Sequence, residues 1–153
     1  METLERLLRE HPFLKTMEER HLAFMTGCAA NMRFAAGRFL FKEGDPADAA
    51  YLVREGRVAL EVHAPERGNT LIATIEAGHV FGWSWLFPPY RWNFDARAVE
   101  PVRAFAFDGN CLRSKCEADH DLGYELLKRF LQEIDRNLER AHLQLLDVYR
   151  ANP

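Results

Sequence analysis

Apolar residues recur along this chain at different spacings, and each spacing predicts a different element. In the first thirty residues, Leu4, Leu7 and Leu8 form the stripe of a short amphipathic helix. Met17, Phe24, Met25 and Cys28 share one face of a second. Thr16-Met17-Glu18-Glu19 has the form of a capping box, in which the Thr hydroxyl satisfies an orphan amide while Glu19 reaches back to the cap. The second helix is therefore expected to start there and to stop near Gly27. From Asn31 to Phe107 the rhythm shortens to runs such as Tyr51-Leu52-Val53, Val58-Ala59-Leu60-Glu61-Val62 and Leu71-Ile72-Ala73-Thr74-Ile75. Turn residues at Gly37, Gly44-Asp45-Pro46, Glu55-Gly56, Arg67-Gly68-Asn69 and Ala77-Gly78 separate them. The pattern predicts roughly eight short strands closed into a sandwich or barrel.

After Asp108-Gly109 the helical period returns, first in a short segment around Cys111 to Glu117 and then in a long one from about Asp121 to Arg150. Along the long helix Leu127, Leu131, Ile134, Leu138, Ala141, Leu145 and Val148 alternate steps of four and three, a heptad seam that fits a two-stranded coiled coil. Leu122, Leu126 and Phe130 supply a separate face near its start for packing on the barrel. The charges beside the seam, Lys128 and Asp135 among them, carry no clear orientation code. The whole reads as one mainly-β domain over 1–153. Helices are expected over 1–30, the β-roll over 31–108, and helices again over 109–150, the last a dimerisation helix.

Composition narrows the function classes. A net charge of −3 argues against a nucleic-acid or anionic-membrane binder, and no apolar run approaches the ~20 residues that span a bilayer. The first residues, Met1 to Arg6, lack the apolar stretch of a signal peptide, and Cys28, Cys111 and Cys116 are odd in number. These features suggest a cytoplasmic protein with reduced thiols. Cys111, Cys116 and His120 match no standard zinc spacing and read as structural. No triad pattern, phosphate loop or nucleophile elbow is present, so no catalytic residue is assigned and no enzyme is expected.

Candidate chemistry concentrates between Phe81 and Ala98, a stretch that holds every tryptophan of the chain. Gly82 can let backbone approach a ligand closely, and Pro88-Pro89 forbids helix or central strand, so the segment must be a shaped loop. With the Phe41-to-Asp48 and Gly56-Arg57-Val58 turns, and Gly78-His79-Val80-Phe81-Gly82 leading in, it resembles the phosphate-binding cassette of the cyclic-nucleotide-binding domain family. That is the sensor domain of the catabolite activator protein and FNR type. The resemblance covers roughly residues 10 to 150 and implies a double-stranded β-helix, or jelly-roll-like β-roll, with N-terminal helices and a long C-terminal helix. It also implies a ligand site at Phe81, Gly82, Trp83, Ser84, Trp85, Arg91, Trp92, Asn93 and Arg97. In the family a Glu after the cassette glycine accepts from the ribose hydroxyl, and a later Arg pairs with the cyclic phosphate. Here Trp83 and Trp92 stand at those positions.

Three readings of the loop follow. The rings fill a vestigial pocket; or they stack on another small planar ligand, with Arg91 or Arg97 supplying charge; or Arg91, one place out of register, still reaches a nucleotide phosphate. No cofactor is required, and a cyclic nucleotide or other small planar molecule is the candidate occupant. The chain ends at Pro153, without the forty or so residues a DNA-reading module would need. The expected function is thus a regulatory sensor acting through a homodimer or a separate protein partner rather than on DNA. The alternative is a structural dimerisation adaptor with a self-filled pocket.

Overall fold

A computed structural model describes residues 3–66 and 68–151 of the chain. Helices α1 (Leu4–Glu10) and α2 (Glu19–Thr26) lead into strands β1 (Ala29–Phe34), β2 (Phe39–Phe41), β3 (Ala49–Glu55), β4 (Arg57–Ala64), β5 (Gly68–Glu76) and β6 (Val80–Phe81). A 3-10 turn at Ser84–Leu86 and an irregular loop precede β7 (Asp95–Ala98) and β8 (Val102–Asp108), and α3 (Gly109–Ala118) and α4 (His120–Ala151) end the described chain. The strands form two antiparallel sheets, ordered β1-β8-β3-β6 and β2-β7-β4-β5. The hydrogen bonding leaves β1, β6, β2 and β5 as edges, so of the sandwich and the closed barrel the roll is two facing sheets, as the jelly-roll-like expectation has it.

The inner strands of the first sheet, β3 and β8, are covered on both faces, and their sequence shows it. Along β3, Ala50 and Leu52 point to a core shared with the helices, whereas Ala49, Tyr51 and Val53 point into the roll. In β8 likewise, Phe105 and Phe107 face the helices while Val102 and Ala104 face the roll. A strand buried on both faces reads as a continuous apolar run instead of an alternating one. The second sheet closes only one side of the roll. Val58, Leu60, Ile75, Ala96 and Ala98 line its inner face, the three larger side chains each contributing on the order of 1.5–3 kcal/mol.

The turns fall where the glycines stand. Gly56 has a φ of +87°, and a Cβ there would lie 2.3 Å from the Pro101 carbonyl oxygen, so only glycine fits between β3 and β4. The turn expected at Arg67-Gly68-Asn69 lies partly outside the described residues, since Arg67 is not described.

Helix α2 departs from the expected start. Its first residue is Glu19 with Glu18 at the cap and no side-chain capping bond. Thr16 is drawn away, because its Oγ1 accepts from the Arg129 guanidinium of α4 at 3.0 Å. Met17, Met25 and Cys28 are buried as their shared face predicts, but Phe24 is exposed beneath the Lys115 ammonium.

The cysteines correct the reduced-thiol expectation. Cys28 and Cys111 form a disulfide with Cα atoms 5.6 Å apart, leaving Cys116 as the free thiol. Strand pairing explains it: Ala29 of β1 lies opposite Phe107 of β8, so the residue before β1 and the first turn of α3 meet at the same sheet end. The free-thiol argument for a reducing compartment lapses with it.

The first half of helix α4 packs on the body. Leu122, Leu126 and Phe130 are buried against the helical core. Arg129 donates to the Phe13 carbonyl at 2.7 Å, and His79 Nδ1 lies 3.0 Å from the buried carboxylate of Glu133. From Leu138 to Arg150 every residue is exposed.

Candidate functional site

The loop between β6 and β7 is anchored by backbone bonds to the turn after β2. Gly44 N–H donates to Trp92 O, Trp92 N–H to Asp45 O and Ala47 N–H to Tyr90 O. The chain becomes a regular strand again only at Asp95, because residues 90–92 pair with this turn. A cis bond joins Pro88 to Pro89, and Tyr90 follows with a φ of 55°.

Within this frame the three tryptophans part company. Trp92 turns into the roll, is 2% exposed, and stacks on Phe41 with centroids 3.8 Å apart and planes 7° from parallel. Phe94 packs on the same Phe41 ring at 5.6 Å, and Phe81 stacks on Tyr51 at 5.3 Å. Burial, with a smaller contribution from Asp48, pushes the Tyr51 phenol up to about 12, so it stays a neutral member of this aromatic cluster. Gly82 is the seat of Trp92: a Cβ there would lie 2.9 Å from the indole Cη2 and 3.1 Å from the Ala49 carbonyl oxygen, at a φ of +92°. Glycine is required at this point for the indole to enter.

Trp85 faces the opposite way. It is fully buried in the helical core, edge-on to Phe130 of α4 at 5.8 Å, and its Nε1–H donates to the Gly82 carbonyl at 2.8 Å. Trp83 packs on the same side, half-buried, and Ser84 is buried in the 3-10 turn between them. Arg91 is exposed and donates to the Gly44 carbonyl at 3.1 Å, and Asn93 is exposed beside it. Arg97 lies between Ala96 and Ala98, whose side chains face the roll interior, so alternation along β7 turns it outward. There it pairs with Glu61 at 2.8 Å.

The structure thus gathers Phe81, Gly82 and Trp92 in the roll, places Trp83, Ser84 and Trp85 toward the helices, and leaves Arg91, Asn93 and Arg97 outside both. Phe41, Tyr51 and Glu61 were absent from the candidate set. Glu61 carried a sequence signal, as the lone acid in an otherwise apolar run, whereas Phe41 and Tyr51 read as ordinary strand residues. Among the described residues no group of three or more His, Cys, Asp or Glu side chains could hold a metal ion, and no helix is long and apolar enough to cross a membrane.

Comparison with known proteins bears on this geometry. The pattern of the cyclic nucleotide-binding domain family matches residues 31–119. A CRP-like cAMP-activated global transcriptional regulator of Mycobacterium tuberculosis is 26% identical over 145 residues, covering 95% of this chain and 63% of the regulator. The chain therefore spans less than two thirds of that relative. A crystal structure from Geobacter metallireducens shares 29% identity at a TM-score of 0.79, covering 90% of this chain and 99% of its own. A cyclic nucleotide-binding domain from Methylobacillus flagellatus superposes with a TM-score of 0.82 at 19% identity, covering 94% of this chain and 84% of its own, and so shares the fold. With the family pattern matched over more than half of its length and the fold shared with these structures, this chain belongs to the cyclic nucleotide-binding domain family.

Proposed function

We propose that this chain is a non-catalytic regulatory module of its family whose roll interior is occupied by its own aromatic side chains. It communicates through α4 to a second copy of itself and to a protein partner. The observation that carries the reading is Trp92, buried in the roll and stacked on Phe41, at the position where the resemblance puts a phosphate-pairing arginine. An indole offers a cyclic phosphate no charge-assisted bond, and losing one such bond lowers affinity by about tenfold to a hundredfold. The nearby arginines do not replace it, since Arg91 is spread on the surface over Gly44 and Arg97 is neutralised by Glu61.

The second half of the reading rests on α4. Its heptad positions Leu127, Leu131, Leu138, Leu145 and Val148 are all more than half exposed, while Leu122, Leu126 and Phe130 are already buried in the helical core. An apolar stripe of that length beside a satisfied core-facing stripe supports a helix pair between two copies. Isothermal titration of the intact chain with cyclic AMP and with cyclic GMP tests the closed roll. No heat of binding is expected up to about a hundred micromolar, some two orders of magnitude weaker than micromolar recognition. Submicromolar binding of either nucleotide would overturn the proposal.

A further inference from the structure

Where the loop after the 3-10 turn meets the junction of α3 and α4, a groove of about 610 Å³ opens on the side of the loop remote from the roll. Its size falls in the range of small-molecule sites. Trp85, Leu126 and Phe130 form its buried floor, and Phe87 and Tyr124, both more than half exposed, form its rims. One cation stands in the wall. The Arg113 guanidinium lies 4.3 Å over the Tyr90 ring and donates to the Trp85 carbonyl and to Asn110 Oδ1. Both acceptors are neutral. Among the described residues no carboxylate pairs with Arg113, although Glu117 lines the same groove one turn further along α3.

A half-buried guanidinium fixed by neutral acceptors beside an apolar floor is a preorganised place for an anion with an apolar body. Glu117 and His120 sit exposed at the mouth, where water screens them, so the partly desolvated Arg113 sets the sign of the ligand. We infer that this groove binds an amphipathic organic acid, a carboxylate on a single medium-length apolar chain. The chain lies on Trp85, Leu126 and Phe130, and the carboxylate meets Arg113. The site is separate from the roll, because Trp85 belongs to the helical core and Trp92 to the roll core. It touches α4 at Tyr124 and at Leu127, the first residue of the heptad seam, so occupancy bears on how that helix is presented.

The test uses the intact chain and decanoate, followed by calorimetry and by tryptophan fluorescence, with decanol and decylamine as matched neutral and cationic probes. Saturable binding of one decanoate per chain is expected, at least tenfold tighter than decanol. Arg113→Gln should weaken it by tenfold or more, and Arg113→Lys by less. Because Arg113 also clasps the loop, Tyr124→Glu, on the exposed rim and outside the heptad seam, serves as the second variant and should abolish binding in a folded chain. Equal or tighter binding of decanol or decylamine, no saturable binding of decanoate, or unchanged affinity in Tyr124→Glu would overturn the inference. The nucleotide titration reads the roll and this one the groove, so either proposal can fail alone.

Discussion

His11 shows how a single buried group sets a condition on the fold. Phe13 N–H donates to its Nδ1 at 3.2 Å, which makes Nδ1 an acceptor and places the proton on Nε2, 2.9 Å from the Val53 carbonyl. Both ring nitrogens are satisfied only in the neutral form. Burial holds its pKa below the usual 6.5, with His79 and Arg54 adding to the depression and Glu133 and the Val53 bond opposing it. Below pH 6.5 the unfolded chain takes up a proton that the folded chain resists, so stability rises with pH through this window and is lost on acidification. Urea unfolding at pH 7.5 and at 5.5 should show a larger loss in the wild type than in His11→Gln, which keeps a donor for Val53 without the titration. Parallel losses would remove His11 as the cause. Residue-scale chemistry elsewhere was only partly legible. Gly82 announced a close approach in the sequence, but that the approaching group is the indole of Trp92 depends on where residues 90–92 are pinned by the turn at Gly44.

Among the elements, strands β3 and β8 organise the rest, since each presents one face to the helices and one to the roll. Their pairing, with β1 on the far side of β8, also brings Cys28 to Cys111 across a separation of 83 residues. A cross-link closing a loop of that length restricts the unfolded chain, and its loss should lower stability by about 2–4 kcal/mol. The check is urea unfolding of the oxidised chain against Cys28→Ser. Thiol titration in denaturant should find one free thiol per oxidised chain, Cys116. Three would show that the pair is reduced, and unchanged unfolding in Cys28→Ser would show that the cross-link carries no stability. Thr16 teaches the same lesson at a helix end. Its capping box was locally sound, but Arg129 of α4 offers a charged donor, and α2 begins later. A hydrogen bond to a guanidinium outweighs a neutral cap by about a kcal/mol.

At the scale of the whole molecule, α4 divides the protein into a part that is complete and a part that is not. Up to Glu133 one face of the helix closes the helical core, while its apolar seam meets solvent from Leu127 onward. If two copies bury these seams, sedimentation velocity should give twice the 17.7 kDa chain mass, and a chain carrying Leu131→Asp and Leu138→Asp should fall to the single mass while keeping its circular dichroism. A wild type that sediments as one chain would end the dimer. By itself the sequence determined the strand rhythm, the glycines of the turns and the two faces of α4. Those features are local: periodicity reports which side of an element is buried, and a left-handed backbone asks for glycine wherever it occurs. Only the tertiary structure decided that Trp85 and Trp92 part to opposite cores, that Arg97 meets Glu61, and that Cys28 meets Cys111. Those outcomes depend on which strands lie side by side, and no local pattern in the chain encodes the spatial order β1-β8-β3-β6 that sets them.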